Sequence, residues 1–460
     1  MKKLIALLLI SLGLFSCHQE EKTVTDKNVH FKGNVQNTEM QNILIKNLSN
    51  KVVDTINLDN KGQFDKNIDL KKGYYRLSVG KQYTWLYLEP GKDLEMNLDI
   101  KNFDKSINYK GTTSKENNYL AKKALLSTQL RPKTAYNYYG SLSEEKFVAL
   151  QDSIQNVYNK LLDDSKIDNK EFIKNEQLRH KLQRAAILSR FQMVKRYLDQ
   201  NDEFTVSDKF PNPLDGINFD DDKLANLPNA TSIVGSLLKY EMNLNKKDNK
   251  ETDPIEMMHV IDTKIKNPKL KEQLAYGNAR YDLMYTKDLD AFYTLFNKMV
   301  SNPEYKKEIK TKYDNIKSMS PGKVSPDFTA FDINGKEFHL KDFAGKPVYI
   351  DLWATWCSPC RAEMPALRTI EEKYKNAPIT FISLNVYDDK AKWEAFINHE
   401  KPEGVQLIST DKDMPFLKKY VVDGIPRFIF IDKQGKIIDA NAPRPSNKKL
   451  IKLIENNLDQ

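Results

Sequence analysis

Three spacings of apolar residues divide the chain. From about Asn28 to residue 112 short β-favouring runs alternate and turn often: NILIKNL, KVVDTINL, GYYRLSVG, YTWLYLEPG and DLEMNLDI, separated by Asn-Lys-Gly and Pro-Gly signals. That pattern predicts an antiparallel sandwich or barrel over 28–112, and we take the β-sandwich. From Thr113 to residue 318 apolar positions recur every three or four residues, as in EEKFVALQDSIQNVYNKLLDD and LRHKLQRAAILSRFQMVKRYL. They predict an α-helical middle domain. FPNPLDG (210–216) breaks it into two halves, and Asn-Pro at 267–268 and 302–303 punctuates the second.

After the linker-like SMSPGKVSP the texture changes once more. FTAFDINGKEFHL carries an Asn-Gly turn between alternating apolar residues, which predicts a hairpin. VYIDLWAT, ITFISLNV, VQLIS, RFIFID and KIIDA read as strands. Helices are predicted over 358–375, in AKWEAFINH, around Phe416 to Tyr420 and at the end of the chain. Strands alternating with helices over 319–460 make an α/β domain.

Composition adds limits. Hydrophobic residues make up 40% and charged residues 29%, the balance of a folded globular protein. At 460 residues several cores are expected. The formal charge of +9 is dispersed, with no basic stripe or base-stacking motif, so nucleic acid is not an expected partner.

The first residues read as a processing signal. Lys2 and Lys3 precede an apolar run from Leu4 to Phe15, too short to span a bilayer. Leu14-Phe15-Ser16-Cys17 resembles a bacterial lipobox. That resemblance implies a signal peptide over 1–16, lipidation of Cys17 and a polar tether over 17–27; the alternative is ordinary secretion with a free thiol at Cys17. The expected location is the cell envelope, facing the periplasm rather than the cell surface, although Glu20 and Glu21 resemble an acidic surface-export signal.

Export gives the cysteine count its meaning. The chain has three cysteines, and if Cys17 is acylated only Cys357 and Cys360 remain, in WATWCSPCRAEMP. The pair falls where a predicted strand ends and a helix begins, at the strand edge where reacting groups gather in α/β sheets. Unpaired N–H groups and the helix dipole would stabilise a Cys357 thiolate there. Residues i and i+3 share a helical face, within reach of a disulfide. Pro359 suits a helix start, where its missing N–H is not needed. A structural zinc site needs four ligands, and no second cysteine pair or histidine spacing supplies them. Covalent haem needs a histidine where Arg361 stands. A peroxidatic cysteine would follow a threonine by three residues, and Ala354 occupies that place. An inert staple is the remaining alternative, and a loop this small gains little from closure.

The run VYIDLWATWCSPCRAEMP, the hairpin before it and Val422-Asp423-Gly424-Ile425-Pro426 before RFIFID resemble the thioredoxin superfamily, and its TlpA/ResA-like thiol–disulfide oxidoreductases in particular. The resemblance covers about the last 140 residues and implies a thioredoxin-like C-terminal fold. It makes Cys357 the nucleophile and Cys360 the resolving thiol. Asp351 matches a buried acid that accepts the proton from Cys360, and Glu363 matches a glutamate of the ResA-like branch. Pro426 matches a cis-proline that leaves the Ile425 backbone free to hold an extended substrate, while Trp356 shields the pair. Arg427 stands where many relatives have threonine and is expected to add charge beside the groove. Ser383 falls near the place of a lysine in thioredoxin proper. No metal or organic cofactor is implied, because the dithiol carries the electrons. The expected partners are protein disulfide substrates, a membrane electron-donor protein and, through the lipid anchor, the membrane. A binding lipoprotein whose β and helical domains capture a partner, with the redox domain accessory, is the reading of a different class.

Overall fold

The computed structural model describes residues 28–244, 252–411 and 414–458; the expected signal peptide, tether and Cys17 lie outside them. By contact the chain divides into two compact units. The first runs to Ile217 and takes in Asn226–Ile233; the second holds Asn218–Ala225 and Val234 onward.

In the first unit, eight strands form two sheets. They are β1 (Val29–Gln36), β2 (Asn42–Lys46), β3 (Val52–Asn57), β4 (Gln63–Ile68), β5 (Gly73–Val79), β6 (Gln82–Leu88), β7 (Asp93–Asp99) and β8 (Asn108–Gly111). Their order is β4-β1-β7-β8 in one sheet and β3-β2-β5-β6 in the other. Alternating residues of both, among them Phe31, Ile45, Leu77, Leu86 and Met96, share one core. All neighbours run antiparallel except β1 and β7, which pair in parallel. The Asn-Lys-Gly signal is the β3–β4 turn: Gly62 has φ +76°, and a Cβ there would stand 2.1 Å from the Val35 carbonyl oxygen.

Helices Ser114–Thr134, Glu144–Asp164 and Lys170–Asp199 complete this unit. Two consecutive asparagines at the start of the first fasten it to the sheets. The Asn117 side-chain amide accepts from Tyr87 N (2.8 Å) and donates to Tyr87 O (2.9 Å) on β6. Asn118 does the same to Tyr109 N and O on β8, at 2.9 and 2.8 Å. Below them lies a buried ionic cluster. Glu176, fully enclosed, accepts from Lys123 Nζ (2.8 Å), Arg179 Nη1 (2.5 Å) and the Tyr74 hydroxyl of β5 (2.9 Å). Burial opposes its ionisation, yet Arg179 and Lys123 hold its carboxyl below the usual range. FPNPLDG lies between helices, with Phe210 stacked on Phe147 and Phe191 at 6.1 and 5.5 Å between ring centres.

The second unit contains helices Pro254–Lys264, Pro268–Asp282, Leu289–Met299 and Pro303–Ser318. Both Asn-Pro signals are helix starts. Asn267 Oδ1 accepts from Leu270 N (2.9 Å) and Asn302 Oδ1 from Glu304 N (2.9 Å), with proline in the first turn.

The α/β portion is a seven-stranded sheet of β9 (Thr329–Phe331), β10 (Glu337–His339), β11 (Val348–Trp353), β12 (Thr380–Asn385), β13 (Val405–Ile408), β14 (Arg427–Ile431) and β15 (Ile437–Asp439). The order is β10-β9-β13-β12-β11-β14-β15. β11, β12 and β13 run parallel, and β14 lies antiparallel to β11. Helices Ser358–Lys373, Lys390–Glu400, Pro415–Lys419 and Lys449–Leu458 alternate with the strands. The architecture is therefore multidomain as expected: N-terminal β-sheets, a helical middle and a thioredoxin-like α/β end. SMSPGKVSP is less of a free linker than its composition predicts. Gly322 N donates to Ile437 O (2.8 Å) and Ser325 N to Gly435 O (2.9 Å), so the stretch is tied to the sheet edge.

Candidate active site

β11 is buried along its whole length and delivers the chain into the helix Ser358–Lys373. Cys357 is the cap of that helix and Cys360 lies in its first turn, with Pro359 between them. The two cysteines form a disulfide, their Cα atoms 5.3 Å apart. The Cys360 N–H donates to Cys357 Sγ at 3.2 Å, so the sulfur takes the place of the side-chain oxygen that usually caps a helix. Both residues are almost fully buried, at 3% and 1% exposure, in a cluster with Trp353, Trp393 and Ile408. Ile425 packs against the same cluster. The Ile425–Pro426 peptide bond is cis.

Trp356 stands out from this enclosure, 62% exposed, its indole N–H donating to Tyr387 O at 3.3 Å. Asp388 accepts from Thr355 N (2.6 Å) and from the Asn385 amide (3.2 Å), which fixes the approach to Trp356.

Asp351 lies on β11 between Tyr349, which packs with Leu367 and Ile370, and Trp353, which packs with the cysteines. Strand alternation therefore turns its side chain to the active-site helix. It is enclosed, and Oδ1 has no hydrogen-bond partner. Burial, reinforced by the negative charges of Glu371 and Glu363, pushes its carboxyl up to about 8. Ser383 is its register partner on β12 and supplies no positive charge to oppose this.

Glu363 is also buried. Its Oε2 accepts from Ser446 N (2.9 Å) and its Oε1 from Ser446 Oγ (3.0 Å), with Arg444 at 3.7 Å. Arg427 has a place other than the one its sequence position predicts. It is 4% exposed, donating to Ala440 O (3.1 Å) and Tyr420 O (2.9 Å) and lying 3.0 Å from Met284 Sδ. Its guanidinium thus braces β14 from inside instead of charging a groove.

Glu371 was not among the residues expected from the sequence. It sits on the buried stripe of the active-site helix with Cys360, Glu363 and Leu367. Burial and then Glu403 push its carboxyl up to about 7, against the pull of Arg368. The spacing of that stripe, continued from Cys360, was the available signal. Among the described residues no group of three or more His, Cys, Asp and Glu side chains is placed to hold a metal ion.

A cysteine pair at a helix start beside a buried acid is equipped for dithiol–disulfide exchange. Comparison with known proteins agrees. Residues 320–454 match the Redoxin family model. The chain is 34% identical to the thiol-disulfide oxidoreductase ResA of Bacillus thuringiensis over 122 residues, 26% of this chain and 69% of that one. With ResA of Bacillus subtilis it shares 30% identity over 147 residues, 32% and 73% of the two chains. A crystal structure of the thioredoxin domain of a thiol-disulfide oxidoreductase from Bacteroides vulgatus aligns at 30% identity and a TM-score of 0.28 over 31% of this chain and 99% of that one. Through its last third, and with the redox-active Cys357–Cys360 pair in place, the chain belongs to the ResA family of thiol–disulfide oxidoreductases.

Proposed function

We propose that this thiol–disulfide oxidoreductase is an exported, lipid-anchored protein that reduces protein disulfides in the cell envelope. The observation that carries the chemistry is the Cys357 sulfur accepting the Cys360 N–H at a helix start, with Asp351 enclosed on the adjoining strand. The lipobox-like Leu14–Cys17 supports the anchor. In the reduced protein the Cys357 thiolate attacks a substrate disulfide, forming a mixed disulfide and releasing one substrate thiolate. Cys360 passes its proton to Asp351 and attacks Cys357 Sγ. The second substrate thiolate then leaves, and the Cys357–Cys360 disulfide holds the oxidising equivalents. Two electrons have moved to the substrate, and a membrane dithiol donor restores the pair. Cis-Pro426 has no N–H to offer, which leaves the Ile425 backbone to hold the substrate in extended form, and Trp356 covers the mixed disulfide.

The reduction potential of the Cys357–Cys360 pair, equilibrated in thiol–disulfide buffers, tests the direction. A value near about −270 mV belongs to a reductant, and one near about −120 mV overturns the proposal in favour of an oxidant. The binding-protein reading draws on a cleft of about 510 Å3 in the first unit, lined by Gln155, Asn159, Lys181, Arg184 and Asn212 among others. A Cys357→Ser/Cys360→Ser chain that still performed the cellular task would favour it over the enzymatic role.

A further inference from the structure

The loop leading to Pro426 is held from outside the seven-stranded sheet. Lys312, on the helix Pro303–Ser318, donates at once to the Arg280 carbonyl and to the Asp423 carboxylate. The Lys312 side chain is 14% exposed and that of Asp423 48%. On the same helix Asn315 donates to Lys418 O at 3.3 Å. On the far side of Pro426, Met284 lies against the Arg427 guanidinium. Residues 418–427 are therefore fixed at both ends and in the middle by helical residues of the second unit.

The same contacts carry exposed rings to the edge of that loop. Arg280, whose carbonyl shares the Lys312 ammonium with Asp423, precedes Tyr281, which is 64% exposed. Tyr285, three residues before the next helix begins at its cap Asp288, adjoins Met284 and is 53% exposed. From the other direction, Trp356 bonds to Tyr387, whose hydroxyl donates to Val422 O (3.4 Å) next to Asp423. A continuous bonded path thus runs from Trp356 through Asp423 to Tyr281. Rings with few rotatable bonds beside a recognition loop are well suited to gripping a polypeptide.

We propose that Tyr281 and Tyr285 extend the substrate-binding face and contact the polypeptide that carries the target disulfide, and that Lys312 is a positioning residue that sets the Asp423–Pro426 loop for it. The inference rests on the reading of Ile425 and Pro426 as the substrate-holding segment. Its occupant is the protein substrate itself, because the face is continuous with that segment. A small disulfide reaches the cysteines without touching the rings; a protein disulfide brings flanking chain across them.

The test uses the reduced full-length chain, with rates measured against oxidised glutathione and against insulin. Tyr281→Ala, at an exposed site, is expected to slow insulin reduction about tenfold while leaving the glutathione disulfide rate within about twofold of the parent, and Lys312→Gln to slow insulin reduction in a way that Lys312→Arg restores. An equal loss with both disulfides in Tyr281→Ala, or no loss with either, overturns the proposal. A parent chain that reduces glutathione disulfide but not insulin overturns it as well. A parent chain that reduces neither overturns the reductant reading on which it stands.

Discussion

In the proposed mechanism Cys360 must lose a proton before it can resolve a mixed disulfide, and Asp351 is the enclosed carboxyl on the adjoining strand proposed to take it. With its carboxyl pushed up to about 8 by burial and by Glu371 and Glu363, Asp351 is protonated at neutral pH and becomes a base as pH rises. Substrate turnover is therefore expected to climb through about pH 8, and Asp351→Asn to flatten that limb in a pH–rate profile. Stability runs the other way. Between the ordinary carboxylate value of 3.8 and about 8 the folded chain holds a proton that the unfolded chain has lost, so stability falls as pH rises through this window and levels above it. The loss is on the order of 6 kcal/mol at about 1.4 kcal/mol per pH unit. Thermal melts should show Asp351→Asn matching the parent near pH 4, exceeding it increasingly up to about pH 8 and by a constant margin above; a gap that stays constant from pH 4 upward would remove Asp351 as the cause. At this scale the disulfide-bonded cysteine pair, the burial of Asp351 and the cis bond before Pro426 were legible because each is marked by its immediate neighbours in the sequence. Glu371 was missed although it continues the stripe from Cys360, because a stripe position does not say whether a long acidic side chain is enclosed or reaches past the edge to water. Arg427 was misread for the same reason: a position beside the groove does not say which way a long side chain turns, and this one turns inward to two carbonyls.

Secondary structure followed its punctuation. Asn-Gly made the β9–β10 hairpin, and each Asn-Pro became a cap with proline behind it. The parallel pairing of β1 with β7 was hidden, because nothing in either strand records a neighbour some sixty residues away. The ionic cluster that joins β5 to the helices was hidden too, its members scattered over Tyr74, Lys123, Glu176 and Arg179. Two cations share one carboxylate there, and all three groups are buried. Glu176→Leu leaves both unpaired and is expected to destabilise the first unit by about 3–5 kcal/mol, read from denaturant unfolding followed by far-UV circular dichroism. A loss below about 1 kcal/mol, the size of an exposed pair, would show the cluster to be solvated.

For the molecule as a whole, the α/β strands begin at β9 (Thr329–Phe331), after the change of texture near residue 319, but the helical stretch gave no sign that its residues are shared between two compact units. Helical periodicity is local, and the partners of each helix are set by packing. Two separate cores should unfold in two calorimetric transitions. Glu176→Leu is expected to lower one and Asp351→Asn at pH 9 to raise the other; a single transition moved by both would mean one cooperative block. The paired amides of Asn117 and Asn118 have a consequence for how copies of this chain meet. β6 and β8 are the last strands of their sheets, and an unguarded last strand is a template on which a second copy can continue the ladder. Each amide occupies the N–H and C=O that such a copy would need, at Tyr87 and at Tyr109. Replacing both by leucine should leave a chain that folds but self-associates with concentration in light scattering. On that view two neighbouring side chains close one edge of each sheet to a second copy.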